Sequence, residues 1–351
     1  MRRVVSFDLW RDLRPPPLLA RSLSGDQRWR RAGVTVAALF VLAIGLVDPI
    51  APAAAEPAQS AAAPLCSAGA ICVGPGQRYQ TLAAGLHAAH QGDTIEIAAA
   101  TYHETAAINL ANVTLRGIGG RPHFDCQGLR ITGDKACLLL AADGITLENL
   151  EISGAEVSDA LGANGACIRN DHRESFHLRA ILCHSSQNGI LSNGGDIVID
   201  DSQFYDNGWD GYSHNVYVSG ACHVTVHHST FRDARVGHEF KSRCLTTVIA
   251  DSTFVSTRGS RDIDIPDGGD TRIYRSTLSK MPGTQNHEII GFAAESCTHP
   301  ADMLLQDVYI VNSDPQAAIS NHDKCAGHII IIERMKVSGP RPRDIGLISH
   351  R

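Results

Sequence analysis

Residues 197–231 read IVIDDSQFYDNGWDGYSHNVYVSGACHVTVHHSTF. Two segments of one shape sit in this stretch, IVIDDSQF (197–204) and VTVHHSTF (224–231). VTVHHSTF opens on apolar–polar alternation, the period of a strand with one face buried, and IVIDDSQF on an apolar version of the same strand. Each then closes on Ser-x-Phe. A second short strand, HNVYVS (214–219), lies between them, set off by Asn, Asp and Gly, which are turn residues. The same shape recurs as ITLENLEI (145–152), FHLRAILC (176–183) and TVIADSTF (247–254). Weaker copies are RIYRSTLS (272–279), LLQDVYIV (304–311) and IIIERMKV (330–337). The copies start about 21 to 32 residues apart. Most are preceded by a partner strand of the HNVYVS kind: ACIRND, NGILSN, HEFKSR, RDIDIP, HEIIGF and AAISNH.

A coil of two or three short strands cannot bury its own apolar face, but stacked coils can, with strands pairing in parallel from coil to coil. No long amphipathic helix separates the strands, which excludes a βαβ sheet or barrel. The Leu/Asn spacing is too irregular for leucine-rich repeats. The reading is all-β: a right-handed parallel β-helix over 66–351. Ahead of it, RYQTLAAGLHAAHQGD predicts a short helix over 79–90 and a turn at Gln91-Gly92-Asp93. That helix would cap the open end of the solenoid and protect a strand edge.

Composition agrees. The 351 residues are 43% hydrophobic and 5% aromatic, with 32 Gly, which excludes a disordered chain, a coiled coil and a collagen-like fibre. Residues 1–31 carry eight Arg, and an apolar run of sixteen residues follows from Ala32 to Val47, then small residues at 51–55. Basic flank, short apolar region and Ala-rich end predict an export signal over 1–55, with an uncleaved inner-membrane anchor as the alternative. Residues 56–65 are a linker. The net charge is −6, and removing the Arg-rich front makes the rest more acidic. Nucleic acid is therefore not an expected partner. The membrane is expected only through the N-terminal segment, and the protein is expected to be monomeric and periplasmic or secreted. All ten Cys lie after residue 65, and an even count in an oxidising compartment reads as disulfides. Neighbouring pairs are the simplest connectivity: 66–72, 126–137, 167–183, 222–244 and 297–325. No C-x-x-C pair points to zinc.

GPGQRYQTLAAGLHAAHQGDTIEIAAATYHE (74–104) with NVTLRGIGG (112–120) resembles the N-terminal coil of the pectate-lyase-like β-helix superfamily. HNVYVSG, VGHEFKSR and DIDIPDGGD resemble later coils of its exported bacterial members. The resemblance implies the fold. It leaves the reaction open among lyases, hydrolases, epimerases, esterases and binding proteins.

Aligning the partner strands on Val216, Phe240, Ile263 and Ile289 predicts stacked columns about 4.8 Å apart per rung. One outward column would hold Asn215, Glu239, Asp262 and Glu288; the other, Tyr217, Lys241, Asp264 and Ile290. His214, His238, Arg261 and His287 precede the first column, and Arg243 and Asp267 continue two strands. Stacked carboxylates repel, so cations, a bound Ca²⁺ or raised pKa values must offset them. An extended charged face suits an extended acidic polysaccharide. β-Elimination from a uronide needs a neutralised carboxylate, a base for the adjacent proton and an acid for the leaving oxygen. Lys241, His238 or His214 are candidate bases, and Arg261 or Arg243 the neutraliser. Asn215, Tyr217, Asp264 and His287 would contact substrate, and Glu239, Asp262 and Glu288 would hold Ca²⁺. Phe-Lys-Ser (240–242) resembles the Asn-Lys-Ser element of the chondroitinase-B and alginate-lyase branch, with Phe240 in the Asn place; the resemblance implies calcium ligands at Glu239 and a nearby acid. The alternatives are a glycoside hydrolase using Asp262 with Asp264 or Glu239 with Asp262, a C5-epimerase on the same face, and a non-catalytic carbohydrate-binding solenoid.

Overall fold

A computed structural model describes residues 66–351 apart from 172, 173 and 211. The export or anchor segment expected over 1–55 and the linker over 56–65 lie outside the described residues. Among the described residues no helix is long and apolar enough to cross a membrane.

The chain is a right-handed parallel β-helix, and each coil lays one short strand on each of three faces. The first face runs through Ala166–Asn170, Phe240–Ser242, Ile263–Ile265, Glu288–Phe292 and Ala318–Asn321. The second runs through Ile145–Glu148, Phe176–Arg179, Thr246–Ala250, Asp270–Tyr274 and Met303–Gln306. The third runs through Glu151–Ser153, Gln203–Tyr205, Thr230–Arg232, Thr253–Ser256 and Thr277–Lys280. Every ladder between coils is parallel. Two long strands, Asn188–Asp200 and Val216–His227, pass from the first face to the second and join those faces into one sheet.

The Ser-x-Phe repeat has two mechanical roles. Its Ser forms a ladder along the corner between the second and third faces. Ser202 N–H donates to Ser229 Oγ at 3.1 Å, Ser229 N–H to Ser252 Oγ at 3.1 Å, and Ser252 N–H to Ser276 Oγ at 3.1 Å. Each hydroxyl donates in turn to the carbonyl two residues back. The bend itself is one left-handed residue just before the Ser: Asp201, His228, Asp251 and Arg275 all have φ between 45° and 52°. The Phe of the repeat enters the interior, where Phe204, Phe231 and Phe254 stack with centroids 5.4 and 4.9 Å apart. All three are fully buried, and each contributes roughly 1.5–3 kcal/mol of burial.

The capping helix spans Leu82–Ala88, shorter than the 79–90 expected. Tyr79 is instead tied to the first strand, donating its N–H to Cys72 O at 3.1 Å. Thr81 accepts from Ala84 N–H as the N-cap. The helix covers the end of the stack so closely that a Cβ at Gly85 would lie 2.4 Å from Val73 Cγ2. The ten cysteines form five disulfides, all between neighbours: 66–72, 126–137, 167–183, 222–244 and 297–325.

Phe231→Ala is expected to lower the unfolding free energy by about 3–5 kcal/mol, and Ser229→Ala by about 1–3 kcal/mol, because it orphans a buried N–H. Denaturant melts of the two variants check both, and equal small losses would contradict the roles given to the two columns.

Candidate active site

On the first face Val216, Phe240 and Ile263 stack as expected, but the fourth rung is Ile290, not Ile289. Both isoleucines are apolar and fully buried, so hydropathy could not choose between them. The outward column is therefore Tyr217, Lys241, Asp264 and Gly291. A Cβ at Gly291 would lie 2.5 Å from Arg261 Nε. Glycine leaves the space that this guanidinium fills.

Asn215, Glu239 and Asp262 do not face outward; all three are fully enclosed. The strands begin at Val216, Phe240 and Ile263, so these residues belong to the bend before each strand. Strand alternation does not extend to them. They form an internal polar ladder. Asn207 Nδ2 donates to Asn215 Oδ1 at 2.9 Å, and Asn215 Nδ2 donates to Glu239 Oε2 at 2.5 Å. Ala234 N–H donates to both Glu239 oxygens at 3.1 and 3.2 Å. Burial pushes the Glu239 carboxyl well up, and the Asp262 charge adds to it. Burial lifts Asp262 to about 6 against the attraction of Lys280, while burial lowers Lys280 against the two acids. Glu288 lies outside, held by Arg261 Nε at 2.5 Å and His322 Nε2 at 3.0 Å. Partial burial would raise its pKa, but Arg261, Ser320 and His322 together hold it below the ordinary value. Glu239, Asp262 and Glu288 thus occupy two separate spaces and do not make a calcium cage. His287 is drawn off to Asp314, with Nδ1 2.6 Å from Oδ2.

The outward cluster is built around Asp264. Its Oδ1 accepts from Arg261 Nη1 at 2.8 Å. Its Oδ2 faces Lys241 Nζ at 3.3 Å, an ion pair, and His238 Nε2 at 3.2 Å, a close polar contact; neither is an aligned hydrogen bond. Lys241 Nζ also donates to Glu295 Oε1 at 2.8 Å. Arg243 donates Nη1 to Asp267 at 2.6 Å, Nε to the Tyr217 hydroxyl at 3.0 Å and Nη2 to Glu295. Glu295 is the open member: its side chain is 50% exposed, against 11% for Lys241 and 0% for Asp264. Partial burial would raise its pKa, but the hydrogen bonds from Arg243 and Lys241 win and hold it at about 2.

The two histidines stack at 4.9 Å with their planes 9° apart. His214 Nδ1 accepts the N–H of His238 at 3.0 Å, and His238 Nδ1 accepts the N–H of Arg261 at 3.1 Å. A neutral ring that accepts at Nδ1 carries its proton on Nε2. His238 then directs that proton at Asp264, and neither nitrogen is left to take one from a substrate. Burial holds both imidazoles well below their ordinary pKa, helped for His238 by the Lys241 charge.

The structure therefore joins Tyr217, Lys241, Arg243, Arg261, His214, His238 and Asp264, and turns Asn215, Glu239, Asp262 and His287 elsewhere. It adds Glu295 and His322. Glu295 follows a turn in AAESC, where no periodicity marks it; only the fold brings it 54 residues back to Lys241.

No family model and no curated protein matches the chain. Solved structures similar to it include pectate lyase Pel9A (12% identity, TM-score 0.47, 78% of this chain and 73% of that one). Pectin methylesterase PemA from Erwinia chrysanthemi is similar at 10% identity and TM-score 0.47, over 80% of this chain and 94% of that one. Pectin methylesterase from Yersinia enterocolitica is similar at 13% and 0.46, over 76% and 94%. The likeness is one of fold.

Glu295 supplies a pH test. Its folded pKa is depressed, so its stabilisation is full above the unfolded value near 4.5 and is lost as pH falls toward 2. For a half-exposed group this is about 1 kcal/mol or less. The stability difference between the wild type and Glu295→Gln is expected to shrink between pH 6 and pH 2.5, followed by urea midpoints; a constant difference would sever Glu295 from Lys241 and Arg243.

Proposed function

We propose that this is an exported enzyme acting on an acidic polysaccharide, and that it cleaves by β-elimination at the Lys241–Arg243 face. The observation that carries this is the seating of Glu295. Two cations, Lys241 in the strand Phe240–Ser242 and Arg243 just after it, already hold one half-exposed carboxylate between them. A uronate carboxylate has the same chemistry and would replace it. Five disulfides support the exported setting. Exposed aromatic rings at Trp209 and Tyr212, 54% and 81% exposed on the loop leading to His214, offer apolar faces to sugar rings.

In this reading Arg243 neutralises the uronate carboxylate, and Lys241, once displaced from Glu295 and after giving its own proton to solvent, takes the neighbouring C5 proton. The C4–O bond then breaks, the C4–C5 double bond forms, and water protonates the leaving oxygen. Arg261 is less suited to the neutralising role, because the carboxylates that hold it, Asp264 and Glu288, are 0% and 16% exposed, whereas Arg243 shares the half-exposed Glu295 that a substrate carboxylate could displace. His238 is less suited as base, because its Nδ1 accepts the Arg261 N–H and its Nε2 carries the ring proton. Glycoside hydrolysis is disfavoured: it needs an outward carboxyl that keeps a proton near neutrality. The carboxyls pushed upward, Glu239 and Asp262, are enclosed, while the outward Glu295 and Glu288 are pushed down.

The purified protein is expected to raise the ultraviolet absorbance of an unsaturated uronide with at least one acidic polysaccharide. Chelator and added Ca²⁺ serve as paired arms. Lys241→Arg keeps the charge but cannot give a free amine. It is expected to lower kcat by about 10²–10⁴-fold with KM within a few-fold. New reducing ends without absorbance would move the reaction to hydrolysis, and undiminished turnover by Lys241→Arg would remove the proposed base.

A further inference from the structure

The third face carries a second cluster, separate from the residues above. His123, Glu151 and His184 come from three successive strands, His123–Asp125, Glu151–Ser153 and Leu182–His184. The register sets His123 beside Glu151 and His184 beside Ser153, two residues along and on the same side. Glu151 Oε1 lies 3.2 Å from His184 Nε2 and 3.9 Å from His123 Nε2. One donor atom from each of the three falls within 4.8 Å of the others, and no other His, Cys, Asp and Glu set among the described residues does this. In a tetrahedral zinc site with bonds of about 2.0–2.2 Å, neighbouring donors stand about 3.3–3.6 Å apart.

The surroundings fit a ligand role. His184 Nδ1 contacts Ser185 Oγ at 3.1 Å, and that hydroxyl donates to Asp206 Oδ2 at 3.4 Å. Such a relay from the non-ligating nitrogen fixes ring orientation at metal sites. Tyr205 stacks on the His184 ring at 4.8 Å, and the Arg232 guanidinium covers Tyr205 at 4.2 Å. The three side chains are 17–27% exposed, so an ion can enter and one position faces solvent. Ser153, itself buried, holds His123 Nε2 at 2.8 Å through its hydroxyl, a contact that metal binding would exchange for the ion.

We propose that His123, Glu151 and His184 bind one divalent transition ion, zinc by donor type, with a fourth position open to water. Two imidazoles and one carboxylate suit zinc; calcium and magnesium take oxygen donors. The ion ties three coils together, so binding also stabilises the fold. No free thiol competes, since all ten cysteines are paired.

The test uses the full chain, stripped with EDTA and titrated with Zn²⁺ by calorimetry and with Co²⁺ by visible absorbance. One ion per chain, an intense tetrahedral Co²⁺ spectrum and a raised Tm with Zn²⁺ are expected. His184→Ala and His123→Ala should each weaken binding by about 10–100-fold or more, by analogy with disturbed metal shells. His223→Ala, an exposed histidine on another face, should not. Absence of saturable one-to-one binding, an octahedral Co²⁺ spectrum, or affinity unchanged in folded His184→Ala and His123→Ala proteins would overturn the site. The wild-type spectrum decides the matter even if a variant fails to fold.

Discussion

Parallel backbone hydrogen bonding from one coil to the next is the constraint on which everything else in this molecule rests. It satisfies the peptide groups of each strand that has a coil on both sides, and it places equivalent residues of successive coils about 4.8 Å apart. A residue type that works at one rung therefore has to work beside its own kind at the next. Serine does so at the corner, where each hydroxyl both accepts a neighbour's N–H and donates to a carbonyl. Phenylalanine does so inside, where rings stack. Charged residues do not, and the first face shows how the chain avoids stacking them alike. Its outward column alternates chemistry as Tyr217, Lys241, Asp264 and Gly291.

That alternation makes the outward cluster an interlocked set of ion pairs rather than a bare charged patch. Arg261, Lys241 and His238 converge on Asp264. Arg243 and Lys241 share Glu295. The inner ladder of Asn215, Glu239 and Asp262 lies one bend away, and its electrostatics run the opposite way. Inside, burial favours protonated acids and a lowered Lys280. Outside, cations keep the acids ionised. A backbone turn of one or two residues separates the two regimes, so position relative to the bend decides what a carboxyl can do.

The same geometry explains how one solenoid can carry more than one site. Each face is an independent surface, and any three residues set at matching rungs converge without a dedicated loop. The histidine pair and glutamate of the third face meet in this way, although they are 28 and 33 residues apart in sequence.

Much of this was legible in the residues alone. The alternating strands and the Ser-x-Phe closures determined a coil of repeated strands, because both depend on local period; the cysteine spacing made neighbouring pairs the simplest connectivity, and the structure fixed it. The concentration of charge near Lys241 was legible too. What only the tertiary structure decided was direction and convergence. Glu239 and Asp262 turn inward because they sit in the bend before the strand, where alternation no longer applies. Ile290 rather than Ile289 takes the inward rung, because two adjacent apolar residues leave the register open. Glu295 reaches Lys241, and His184 reaches Glu151, only because stacking turns a distance of tens of residues into one rung of a ladder.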